Sequence, residues 1–297
     1  MAEFFDALGD PTIPFLRHAL LAGVLASVAF GIVGSYVVAR RITYIAGSIS
    51  HCVLGGIGAG LFLEHAVGVA WLDPLVGGVV AALLAAVVIG LVSLHAGQRE
   101  DTVIGAVWAV GMAIGLIFLA KTPGYVDPMA YLFGNILLIS KGDLWIVLGL
   151  DVVVVLLGVL FYRKFVAAAF DEEFTALRGV RVRLHYLLLL SLTALTVVLL
   201  VQVVGIVMVI ALLTLPAAAA GQFARQLWQM MALAVVFCMT FVTSGLAVSY
   251  VHDLPTGPTI ILIAAAAYLL AALGVQSARW LRRWAALGSG GQLEAAE

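Results

Sequence analysis

The chain has 297 residues, 64% of them hydrophobic and 10% charged, with a mean hydropathy of +1.17 and a formal net charge of -1. An ordinary soluble domain carries about 25% charged residues, so a water-soluble globular fold is excluded, and the lack of any basic block or tail excludes a nucleic-acid binder. Lipid must be the solvent for most of this sequence, because apolar runs of about 20 residues, long enough to cross a ~30 Å hydrocarbon layer, recur along it.

Residues 1–14 carry Glu3, Asp6 and Asp10 but no basic residue, so they lack the positive start of a cleavable signal peptide and read as an outer segment before a permanent helix. Hydropathy then predicts spans over 15–39, 42–63, 74–94, 102–120, 144–162, 185–203, 205–220, 231–251 and 258–276. The fold class is therefore all-α and polytopic, with nine spans, or eight if the sixth and seventh form one broken helix across Gly205. The membrane domain is 15–276. Residues 277–297 form a cytoplasmic tail, small and polar from Gly288 and expected to be disordered from there. Arg40, Arg41, Arg99, Arg163, Lys164, Arg178, Arg181, Arg183, Arg225, Arg279, Arg282 and Arg283 fall in alternate gaps, leaving only Arg17, Lys121 and Lys141 on the other side. That bias places the N-terminus outside and the C-terminus inside. Trp71 and Trp145 at outer ends, and Trp228, Trp280 and Trp284 at inner ends, suit interfacial aromatic belts.

Two gaps are more than turns. Residues 163–183 have room for a short inner interfacial helix from Asp171 to Gly179, acids first and arginines last. Residues 121–143 contain an apolar stretch, 130–139, too short to span, which predicts an outer re-entrant or surface helix. Gly56 with Gly60, and Gly111 with Gly115, have the spacing that permits close helix contact. Pro216 removes a backbone donor inside the seventh span and is expected to kink it. Cys52 and Cys238 lie inside apolar runs and support no disulfide framework.

Ionisable residues deep in a span are costly, which makes them functional candidates. His51 sits near mid-depth in the second span, with Gly47, Gly55 and Ala59 on its helical face; it reads either as a histidine bonded to a carbonyl across a helix pair or as a metal ligand. Asp151 is the other deep charge and reads as a protonated structural acid or an ion ligand. Gln202 and Thr214 suit helix–helix hydrogen bonds. At the outer end of the eighth span, His252 and Asp253 open HDLPTGP, with His18, Glu64, His65, Asp73 and Asp127 on the same side. This mixture of oxygen and nitrogen donors suits a cation access region, although scattered interfacial polar residues are the default. There is no GxxxxGK[ST] loop, HExxH helix or GxSxG elbow, so ATP hydrolysis is expected on a separate partner and the chain itself is not expected to be an enzyme.

GSYVVARRITYIAGSISHCVLGGIGAG from Gly34, YLFGNILLISKGDL from Tyr131, FDEEFTALRGV from Phe170, VGIVMVIALLTLPAAAA from Val204 and SYVHDLPTGPTIIL from Ser249 follow one another in order. Together they resemble the membrane permeases of zinc and manganese uptake ABC transporters, over about 15–276. The resemblance implies a type II ABC importer-like subunit in a bacterial cytoplasmic membrane. It implies a second permease copy, a cytoplasmic ABC ATPase and an outer metal-binding protein as partners. No bound cofactor is implied; the metal is cargo, with zinc expected and manganese, iron or a metal chelate as alternatives. A secondary transporter using Asp151 and His51 as an ion relay is the rival of another class. In the family the stretch after the proline helix docks on the ATPase, here Gly221 to Gln229, with Gln222, Phe223, Arg225, Leu227 and Trp228 as coupling residues. His51 matches the family histidine, whereas Gly47 stands where relatives usually carry aspartate. The metal residues expected are thus His51, Asp151, His252 and Asp253.

Overall fold

A computed structural model describes residues 2–10, 12–68, 71–96, 100–124, 127–134, 136 and 139–290. In lipid each span must satisfy its own backbone, which only a helix does within a single segment, and the described residues are helical with no strand. The elements are α1 (Ala2–Gly9), α2 (Pro14–Ala39), α3 (Thr43–Phe62, ending in a π turn, Leu63–Val67), α4 (Pro74–Ala96), α5 (Glu100–Lys121), α6 (Pro128–Phe133), α7 (Lys141–Leu160), α8 (Tyr162–Phe170), α9 (Glu172–Leu177), α10 (Val182–Val204), α11 (Ile206–Gly221), α12 (Leu227–His252) and α13 (Thr256–Gly290). Eight of them are long and apolar enough to cross a membrane: α2, α3, α4, α5, α7, α10, α12 and α13.

The ninth, α11, has 16 residues, roughly 24 Å at 1.5 Å per residue. It is nevertheless a separate crossing. Its first turn lies on the outer side, where Gly205 (φ 84°) packs backbone to backbone on Gly134 (φ 66°), and its last turn ends on the inner side. A side chain at either glycine would strike the other strand of chain, and the positive φ suits glycine alone. Because α11 is buried by its neighbours, protein rather than lipid surrounds its ends, and a short helix suffices. Pro216 lies inside it and leaves the Leu212 carbonyl without its helical donor.

Two sides emerge from the contacts. Arg40, Arg41, Asp101, Ala169, Glu172 and Tyr186 line one cavity, which gathers the α2–α3, α4–α5 and α8–α10 corners on the inner side. The Trp228 N–H donates to the Tyr162 hydroxyl at 3.2 Å and brings the α11–α12 turn there as well. On the outer side Phe4 of α1 meets Tyr250 of α12, ring centroids 6.2 Å apart, and Gly60 packs on Asp73 and Pro74. Arg99 and residues 291–297 lie outside the described residues.

Helix packing here is carried by close backbone approach rather than by a hydrophobic effect, since lipid tails are as apolar as leucine. α2 is the hub: Gly23 and Gly31 lie on Val242 and Val235 of α12, and Gly34 on the Leu213 carbonyl of α11. α3 is the second hub, with Gly56 on Gly77 of α4, and Gly55 and Gly58 on Gly111 and Gly115 of α5. Both glycine pairs singled out from the sequence are therefore contact points. Thr214 bonds back to the Ile210 carbonyl of its own helix at 2.8 Å, and Gln202 is exposed, so neither makes the interhelical bond expected.

Four boundaries differ from expectation. The N-terminal segment contains α1, whose Phe4 is fully buried. Among the described residues the outer apolar stretch contributes the six-residue α6, capped by Asp127 and ended by Gly134. The inner connector has an extra helix, α8, before the expected α9, which Asp171 caps through the Phe174 N–H at 2.8 Å. Finally, α13 runs on past the expected span end at 276, to Gly290; Ala, Arg, Leu and Trp after Gln276 carry no helix breaker until Gly288.

Candidate functional site

His51 lies midway along α3, on the face against α5. Its imidazole stacks on the Trp108 indole, centroids 4.5 Å and planes 19° apart. Its Nδ1 is buried with no hydrogen-bond partner among the described residues, so the carbonyl bond of the structural reading is not made by that atom. Around it the seam is regular. The Ser48 hydroxyl donates to the Ile104 carbonyl at 2.9 Å, the Cys52 thiol to the Val107 carbonyl at 3.1 Å, and Tyr44 leans on Trp108 at 5.7 Å. A Cβ on Gly47, one turn before His51, would lie 3.3 Å from the indole. The partner helix α5 thus lays Trp108 against the imidazole on the Gly47 side.

Asp151 is elsewhere. It sits in α7 at 6% exposure, facing α2, and neither carboxyl oxygen has a partner in hydrogen-bonding geometry among the described residues. The Ala29 N–H approaches it but already belongs to the α2 ladder. His252 ends α12, and Asp253 follows in the left-handed region at φ 52°; both are exposed. An outer cleft of about 570 Å³ beside them is lined by Asp127, Gly134, Leu254 and Thr256, not by His252 or Asp253. The four expected metal residues therefore do not form one site: α3 packs on α4 and α5, α7 packs on α2 and α10, and α12 ends at the outer surface. No group of three His, Cys, Asp or Glu side chains with metal-holding geometry occurs among the described residues.

Several outer carboxylates have a simpler role. Asp73 accepts from the Val76 N–H at 2.8 Å, Asp127 from the Met129 N–H at 2.9 Å, and Asp143 joins Ser140 in a capping box. Each satisfies orphan donors at a helix start, which explains an acid there without a cation.

On the inner side the α11–α12 turn presents Phe223 at 54% and Trp228 at 55% exposure, with Arg225 exposed between them. Gln229 Oε1 accepts from the Arg225 N–H at 3.1 Å, and Gln226 from the Trp228 indole N–H, so the turn is held in shape. Gln222 caps α11 and is half-buried. Leu227 is a correction: at 8% exposure it turns inward to the cluster of Phe165, Ala217 and Met230, because the first turn of α12 needs an apolar anchor.

Sequence reasoning missed the inner cavity of about 350 Å³ between the α2–α3, α4–α5 and α8–α10 corners. Arg40 pairs there with Glu172 of α9, its guanidinium lies 4.2 Å from the Tyr186 ring centre, and Tyr186 donates to Ser93 at 3.0 Å. Burial pulls the Arg40 pKa below its usual value, opposed by Glu172 and Tyr186. Tyr44 and Ile104 form part of this lining and also border His51 through Trp108 and Ser48, so the cavity reaches toward the histidine from the inner side. Only three-dimensional contact joins these residues; no spacing rule relates them.

Residues 12–274 match the ABC 3 transport family. A probable metal transport system membrane protein of Chlamydia pneumoniae is 40% identical, covering 85% of this chain and 86% of that protein. The manganese transport system membrane protein MntC of Halalkalibacterium halodurans is 33% identical over 90% and 89% of the two chains. Among solved structures, PsaBC from Streptococcus pneumoniae superposes with a TM-score of 0.79 at 31% identity, covering 91% of this chain and 94% of that one.

Proposed function

This chain belongs to the ABC 3 transport family, and from that premise we propose that it is the permease through which a divalent metal ion, manganese, enters the cytoplasm, driven by a separate ATPase. The observation that carries the reading is His51: an imidazole at mid-depth in a span, with a buried ring nitrogen that no described protein group satisfies. Such a residue is costly in a membrane, and a passing cation supplies a reason for it. Manganese is favoured over the zinc expected from the sequence by relatives named for manganese transport. Zinc is the competing cargo. Asp151, His252 and Asp253 stand outside this reading, since no contact joins them to His51.

The assembly we infer has two permease copies, an ATPase beneath each and a metal-binding protein outside. Phe223, Arg225 and Trp228 dock on the ATPase, apolar side chains filling a groove and the guanidinium making a polar contact. Vesicles reconstituted with ATPase, ATP and the outer binding protein are expected to take up manganese, with excess zinc competing less well than excess manganese. Uptake by the permease alone, or uptake that survives ATP depletion and collapses with the proton gradient, would favour the secondary-transporter reading instead. Arg225→Glu is expected to reduce co-purification of the ATPase, and undiminished recovery would remove this turn from the interface.

A further inference from the structure

α5 touches the rest of the molecule along one face only; on its other side Val110, Ile114, Leu116 and Ile117 are all exposed. The inward face lies on α3, and toward the outer side that contact is glycine backbone, Gly55 on Gly111 and Gly58 on Gly115. Beyond the glycines Phe62 of α3 pairs with Phe118 of α5, ring centroids 5.4 Å apart, so the outer end of the seam is also fixed by an aromatic contact. Toward the inner side it is held by the Ser48 and Cys52 hydrogen bonds and by one large group, Trp108, set between His51 and Tyr44.

Metal ligation uses a lone pair in the plane of the imidazole, so a stacked ring does not block it directly. What stacking does is hold the plane. Here it holds His51 with Nδ1 turned to a buried position where no described group bonds it. Leaving a polar atom unsatisfied is unfavourable, so the orientation persists because the stack, itself a favourable aromatic contact, offsets that cost. Gly47 is what makes room: the indole sits where any side chain at 47 would press on it.

We propose that Trp108 is a shutter that holds His51 in a non-ligating orientation, and that rotation of the indole out of the stack frees the imidazole to turn. The consequence for transport rests on the reading of His51 as a metal stepping point; the cover itself is a statement about access. Trp108 is a positioning residue in this scheme and touches no metal. Any side chain at 47 favours the open state by crowding the indole.

The test uses the full permease–ATPase complex in nanodiscs, treated with diethyl pyrocarbonate, with modification of each histidine followed by peptide mass spectrometry. Trp108→Ala is expected to raise the His51 modification rate about two- to tenfold, the range set by losing one aromatic stack. Exposed His252 serves as the internal reference and should not change. Trp108→Phe should restore most of the protection, which a nonspecific packing defect would not. If Trp108→Ala fails to assemble, Gly47→Ala adds a single methyl 3.3 Å from the intact indole and should give a smaller rise. Equal His51 rates in wild type and the assembled variants overturn the shutter. Faster labelling combined with undiminished manganese uptake by His51→Ala supports the shutter while removing the metal reading, so the two failures are distinguishable.

Discussion

α3 and α7 each carry one deeply placed ionisable residue, and their surroundings are opposite. Around His51 the helices meet through glycines, two hydrogen bonds and stacked aromatic rings. Around Asp151 the contact is aliphatic: Val147, Leu150 and Val154 are buried on the same helix, Gly158 faces Ile32, and the Tyr36 hydroxyl donates to the Gly158 carbonyl at 2.9 Å. Depth in the membrane is the same signal in both. A flat ring holds the orientation of the first, whereas branched aliphatic side chains surround the second.

The largest expected effect is at His51. His51→Ala should lower ATP-dependent manganese uptake beyond the ~10–100-fold that even outer-shell changes bring at metal sites, with the complex still assembled. Wild-type uptake would erase the contrast between the two helices. Next comes the seam itself. In Gly55→Ala the new Cβ lies 2.7 Å from the Gly111 carbonyl oxygen, so destabilisation of about 1–3 kcal/mol is expected, read as a lower thermal midpoint. In Gly158→Ala it meets only an Ile32 methyl at 3.2 Å, and the strain is offset by the ~1 kcal/mol that alanine gains over glycine in a helix, leaving the midpoint almost unchanged. Equal losses would show that the two interfaces are equally tight. The smallest effect is expected from Asp151→Asn, which keeps shape and removes the charge option; stability should stay within about 1 kcal/mol of wild type, with uptake retained. A marked fall in uptake would return Asp151 to the metal path.

Much of the fold was legible because the bilayer imposes one length and one backbone solution. The eight long apolar helices, the short α9 with its Asp171 cap and the contact glycines all follow from local pattern. The short elements α1 and α8 were not legible, since each owes its helix to burial of one residue against a distant partner, Phe4 on Tyr250 and Phe165 on Tyr36. The candidate site was legible only in part. His51 stands out as a costly residue in an apolar run, but the outer Asp73 and Asp127 cap helix starts, and Leu227 turns inward from an otherwise exposed turn.

Composition and the recurrence of apolar runs thus determined by themselves that this is a multi-pass helical membrane protein, because lipid penalises every unsatisfied amide in the same way along the chain. Which buried residues meet was decided by tertiary structure alone. Trp108 covers His51, and Arg40 reaches Glu172, through helix pairings between segments far apart in sequence. Apolar helices of nearly uniform surface carry little information about their neighbours; the choice is made by shape, where a glycine on one helix lets the backbone of another come close.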